Sequence, residues 1–214
     1  MQPQPNTVSY TVYEVTATSG TDLQVAVLQG LVRGRITRID VDVGHDKAAG
    51  FATWDDPLDT DFSPEKVFFG SLILFSYRTD KLAVPSSTLK LYVRQRVAQN
   101  LAATRREKLP KKERDELAEQ VKTELLRRAV PTIGAWSVIW DQETGRIRLH
   151  TTSTAANDDF VARLRDALGV EVRPLNTVGV MESRLGEGEL DQAYHLLPTS
   201  FLGIGEAPDT DGEV

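Results

Sequence analysis

Prolines at positions 85, 110 and 131 mark off a segment in which apolar residues recur at helical spacing, not strand spacing. Between the first two, Leu89, Val93, Val97 and Leu101 fall every fourth residue; between the last two, Leu117, Val121 and Leu125 do the same. A four-residue repeat places side chains on one face of a helix, and proline is tolerated at a helix start but not in its interior. The pattern predicts two consecutive amphipathic helices folded as a hairpin. The first, "PSSTLKLYVRQRVAQNLAATRRE" (85–107), is opened by Pro and Ser, and the second restarts after Pro110.

The same segment gathers the positive charge. Residues 85–131 hold 12 Lys and Arg against 6 Asp and Glu, leaving 13 basic and 25 acidic residues elsewhere in a chain of net charge −6. The hairpin is +6 on a body of −12. Surface potential follows local charge, so one reading is an anion-binding face on an otherwise repelling body; the other is an ordinary solvated pair of Lys-, Arg- and Glu-rich helices. Arg94 and Arg105 share a side of the first helix beside its stripe, Lys111 and Lys122 share a side of the second, and Glu124 precedes Arg128 by four.

Around this hairpin the chain alternates strand and helix patterns. "SYTVYEVTA" (9–17) has strand composition, 20–34 a helical pattern bracketed by glycines, 35–43 an imperfect alternation of Ile36, Ile39, Val41 and Val43, and 49–56 a short strand running into a turn. Residues 65–84 predict a buried central strand or a hairpin around Gly70. After Pro131, residues 133–153 predict a hairpin turning at "DQETG", with Trp136, Val138 and Trp140 on one face. A helix over 154–169 is expected next, with Thr154 or Asn157 near its cap, Phe160, Val161, Leu164 and Leu168 inward and Gly169 as its stop; "VEVRPL" (170–175) supplies a last strand. The Gly-, Pro- and acid-rich stretch 203–214 is expected to be disordered.

Several functional classes find no support. The 214 residues contain no cysteine, so a disulfide framework and thiolate chemistry are out, and the N-terminal decapeptide has neither the basic nor the apolar region of a signal peptide. No apolar run approaches the ~20 residues of a membrane span, and the chain reads as soluble and unexported. The aspartates of "DDPLDTD" (Asp55, Asp56, Asp59, Asp61) offer hard oxygens for Mg²⁺ or Ca²⁺ but lack the glycine and terminal glutamate of a calcium loop, and a solvated turn is the simpler reading. His45, His150 and His195 are widely spaced; no nucleophile, base and orienting group can be named together, so no enzyme, cofactor or metal is expected. Trp54, Trp136 and Trp140 read as core or interface residues before base-stacking platforms.

Six features in fixed order carry a resemblance: Pro85 before a long helix, Lys108-Leu109 at a joint, Leu125-Leu126-Arg127-Arg128-Ala129 closing a second helix, the hairpin strand Trp136 to Asp141, Leu164-Arg165-Asp166-Ala167-Leu168-Gly169, and Pro174-Leu175. Over about 80–175, and more weakly back to Val8, this order resembles the RdgC family of recombination-associated proteins, and the resemblance is that of a shortened or divergent member. The family has phenylalanine where Val130 stands and proline where Arg127 stands.

The resemblance implies an α+β fold with mixed or antiparallel sheets and a protruding, basic two-helix hairpin. Its parts would be an N-terminal portion of the central domain (8–84), the tip-like hairpin (85–131), a hairpin-helix-strand portion (132–202) and the acidic tail (203–214). It further implies a cytoplasmic, nucleoid-associated homodimer, ring-shaped in the family, that binds double-stranded DNA, with single-stranded DNA as the alternative, without sequence preference and opposes RecA-dependent recombination. The DNA-binding residues would be Arg94, Arg105, Arg106, Lys108, Lys111, Lys112, Arg114, Arg127 and Arg128, most of them projecting from one continuous surface. The alternative is a self-assembling or protein-interaction module that keeps the fold without encircling DNA.

Overall fold

Strand and helix patterns alternate along the chain, and the elements follow them in a computed structural model whose described residues are 9–18, 22–176, 180, 181, 184–186, 189 and 192. The strands are β1 (Thr11–Thr18), β2 (Lys47–Ala52), β3 (Phe68–Phe69), β4 (Leu72–Lys81), β5 (Thr132–Asp141), β6 (Arg146–Leu149) and β7 (Val170–Pro174). The helices are α1 (Leu23–Arg33), the single turn α2 (Pro64–Val67), α3 (Ser86–Thr104), α4 (Lys111–Leu126) and α5 (Thr154–Arg163), the last extended by a π-helical turn over Leu164–Leu168. The chain divides into two units, Met1–Pro174 and Leu175–Val214, and every element named here lies in the first. The expected tail (203–214) and His195 lie outside the described residues.

The strands form one antiparallel sheet in the order β2-β4-β5-β6-β1-β7, with β3 also paired to β4. β4 is an interior strand, second from the β2 end, with both of its edges taken. It runs against β5 from Leu72↔Asp141 to Lys81↔Thr132 and against β2 from Lys47↔Lys81 to Ala52↔Ser76. Both readings of 65–84 are realised at once, since Gly70, at φ 64°, turns β3 into β4. That dihedral lies where glycine alone is unstrained.

One face of the sheet makes the core. Tyr13, Phe51, Phe75, Tyr77, Trp140, Ile147 and Leu149 from the strands meet Val27 and Leu31 of α1 and Phe160, Leu164 and Leu168 of the α5 region. Phe51 and Phe75 pack edge to face at 5.3 Å, and Tyr77 does the same on Phe160 at 5.6 Å. Full burial of such a side chain is worth about 1.5–3 kcal/mol, which is what holds helices to sheet. Asp22 caps α1 by accepting from the Gln24 and Val25 amides at 3.0 and 3.2 Å, and Gly169, at φ 65°, ends the π-helical turn as expected. The cap of α5 is Ser153, one residue before Thr154; Asn157 lies in the first turn, where it accepts from the Tyr13 hydroxyl at 2.5 Å.

The region 35–43 is not a strand. Only Arg35 bridges β2, through a parallel contact with Phe51, after which the chain bends and turns over 41–44 with Gly44 at φ 87°. Ile36 is buried by a close crossing in which its amide donates to the Phe51 carbonyl at 3.0 Å. Gly50 makes the crossing possible, for a Cβ there would sit 2.5 Å from the Ile36 backbone. Gly50→Ala is expected to destabilise the fold by about 2 kcal/mol, seen as a lower midpoint in thermal unfolding with unchanged secondary structure at low temperature.

Candidate nucleic-acid interface

The helical hairpin forms as its stripes dictate, starting after Pro85 and restarting after Pro110. The two helices lie side by side, but a pair without a third layer cannot bury both apolar faces. Leu89, Val93, Val97 and Leu101 stay half-buried and α3 has no buried residue, whereas α4 buries Val121 and Leu126. Arg96 of α3 donates to Glu124 of α4 at 2.8 Å and staples the pair.

All nine residues assigned to DNA contact are exposed. Arg94 lies on α3. Arg105, Arg106 and Lys108 lie in the joint between the helices, Lys111, Lys112 and Arg114 in the first turn of α4, and Arg127 and Arg128 just past its end. The joint begins with Arg105 in the left-handed conformation, at φ 52°. A non-glycine residue held there costs roughly 1 kcal/mol, so a guanidinium occupies a position where glycine would fold more easily. Lys111 and Lys112 sit where the helix dipole disfavours cations, a placement that local stability does not explain but that an anion would relieve.

These residues are not equally available, and they do not share one surface. Arg106 binds Glu113 at 3.2 Å, Lys112 lies 3.9 Å from Glu116, and Arg127 donates twice to Asp42, at 2.9 Å from Nε and 2.5 Å from Nη2. Arg94, Arg105, Lys108, Lys111, Arg114 and Arg128 have no ion-pair partner among the described residues. Two grooves flank the seam between α3 and α4. One takes Arg94 and Arg114 along with Lys90, a residue not among the nine; the other takes Arg128 along with Arg96 and Glu124. Lys90 could have been found from its i, i+4 relation to Arg94. The side of the seam on which Arg128 falls depends on how the helices pack, which periodicity does not report.

Several of the remaining candidates have structural roles. Asp56 accepts from the Leu58 amide at 2.9 Å, and Asp59 accepts from the Asp61 amide at 2.8 Å and from Lys66 Nζ at 2.7 Å, so these carboxylates shape and pin a turn. The lysine holds the Asp59 carboxyl below its ordinary value. Among the described residues no group of three or more His, Asp or Glu side chains is placed to hold a metal ion. Trp140 is buried, Trp136 stacks on Tyr77 at 5.7 Å and Trp54 is partly exposed. Burial pushes the Tyr13 hydroxyl up to about 12, and burial with a hydrogen bond to Asp159 raises Tyr77 as well, so both phenols stay protonated at neutral pH. Burial lowers the pKa of His150, whose ring lies 6.1 Å from that of Tyr10. No helix among the described residues is long and apolar enough to cross a membrane.

The sequence model of one protein family, described as "Putative exonuclease, RdgC", matches residues 48–188, about two thirds of the chain. No curated protein matches the chain.

Proposed function

The chain belongs to the RdgC family, a family of recombination-associated DNA-binding proteins, and from that premise we propose that it binds double-stranded DNA without reading its sequence, through the cations of the α3–α4 hairpin. The observation that carries this reading is the concentration of exposed cations, most of them unpaired among the described residues, at the joint and first turn of α4 in an otherwise acidic chain. Lys and Arg at phosphates release condensed counterions and so give affinity on any sequence. The core of the interface is Arg105, Lys108, Lys111, Lys112 and Arg114. Arg106 joins when a phosphate displaces Glu113, while Arg94 and Arg128 contribute from either side of the seam and Arg127 chiefly anchors the hairpin to Asp42.

The biological form we propose is a homodimer, nucleoid-associated in the cytoplasm, that opposes RecA-dependent recombination by occupying DNA. The outer edge of β7 has no strand partner among the described residues and offers a surface for self-association. We read the chain as a binder and not a nuclease: hydrolysis needs positioned groups that activate water, and within 55–61 the Asp56 and Asp59 carboxylates are engaged in shaping a turn. Titration of two labelled duplexes of unrelated sequence tests the binding, with affinities expected to agree within about twofold. Folded protein that ignores both duplexes at low salt overturns it. Linear duplex incubated with the protein and Mg²⁺ should keep its length; progressive shortening would show an exonuclease instead.

A further inference from the structure

The two grooves beside the α3–α4 seam differ in a way that phosphate binding does not explain. In one, Arg96 and Glu124 face each other at 2.8 Å, so that wall holds a carboxylate and only Arg128 is left without an ion-pair partner among the described residues. The other, of about 420 Å³, has an apolar floor of Leu89, Val93, Val97 and Ala118. Its charged wall residues are Lys90, Arg94 and Arg114, all cations. None of the three has an ion-pair partner among the described residues. Four of the hairpin's own glutamates are committed elsewhere: Glu113 to Arg106, Glu116 to Lys112, Glu119 to Lys122 and Glu124 to Arg96.

We propose that this groove is a docking site for an acidic amphipathic helix of a partner protein. A DNA backbone could answer the three cations, but it would leave the half-buried leucine and valines facing phosphate and water. An occupant that satisfies both features brings apolar side chains for the floor and carboxylates for the walls, as in helix-in-groove recognition. The floor from Leu89 to Val97 spans eight residues of α3, about 12 Å at the helical rise. It therefore accepts about two turns of a partner helix, whose apolar anchors lie at i, i+3 or i+4 and i+7. Ala118 leaves room for them where a larger side chain on α4 would fill the channel. Because Arg94 and Arg114 also serve the DNA interface, partner and duplex compete for those two residues.

The test uses the full chain and a fluorescein-labelled designed helix of about 18 residues, five turns long, with leucines at the anchor positions and glutamates beside them. A second peptide has the same charge with glutamine in place of leucine. The leucine peptide is expected to bind at least about tenfold more tightly than the glutamine peptide. Ala118→Leu, which blocks the channel without changing charge and suits a helix, should weaken the leucine peptide about tenfold while leaving duplex affinity unchanged. Lys90→Glu with Arg94→Glu, at exposed positions that do not hold the fold, should weaken it about tenfold as well. Equal binding of the two peptides, or indifference of the leucine peptide to Ala118→Leu, overturns the proposal. Loss of duplex binding in Ala118→Leu would assign the groove to nucleic acid and overturn it too.

Discussion

With Lys111, Lys112 and Arg114 all changed to glutamate, the protein should no longer bind duplex DNA at moderate salt. Removing a lysine from a phosphate contact lowers the salt slope by about 1, so three such losses lower it by about 3, and the new carboxylates add repulsion. Stability should hold or rise slightly, because acidic residues in the first turn of α4 agree with the helix dipole. What is lost is the Lys112–Glu116 contact at 3.9 Å, an exposed pair worth at most about 0.5 kcal/mol. Arg146→Glu with Arg148→Glu, on exposed positions of β6, is the matched control and should weaken binding far less. Electrophoretic mobility shift and thermal unfolding on the same samples separate loss of contact from loss of fold. A triple variant that binds like the parent would leave the hairpin an ordinary solvated pair of helices.

Asp80→Ala is expected to give the largest loss of stability. Arg78 donates to both oxygens of Asp80, at 2.7 Å from Nε and 2.6 Å from Nη2, and also to the Pro57 carbonyl at 2.9 Å. The two side chains are 11% and 9% exposed. Truncating one partner of such a pair strands a buried guanidinium, at a cost of about 3 kcal/mol. For a chain of this size the melting midpoint should fall by roughly 6–12 °C. Replacing both together, Arg78→Met with Asp80→Leu, should cost much less, since the charge and its desolvation leave together. At temperatures where the single variant is folded its duplex affinity should match the parent's, because neither residue lies in the hairpin.

Much of this arrangement could be read before any coordinates. The stripes of α3 and α4 and the alternation of Trp136, Val138 and Trp140 are local periodicities, and local periodicity survives into structure when one face of an element is covered. Three features escaped because their causes are not local. Ile36 is held beside β2 by the missing side chain of Gly50, fourteen residues away, so its alternation with Val41 and Val43 signified no strand. β1 pairs between β6 and β7 although its partners lie more than a hundred residues later in the chain. The candidate interface was legible as composition, a basic segment in an acidic chain, but not as geometry. Charge counts cannot say that Arg127 turns to Asp42, or that Arg94 and Arg128 fall on opposite sides of one seam.

The account stands most directly on the salt dependence of duplex binding by the unmodified chain. If about four phosphates are engaged, log K should fall linearly against log salt with a slope near −3.6, equally for duplexes of unrelated sequence. A slope near zero, or no binding by folded protein at low salt, would contradict a phosphate interface on the basic hairpin.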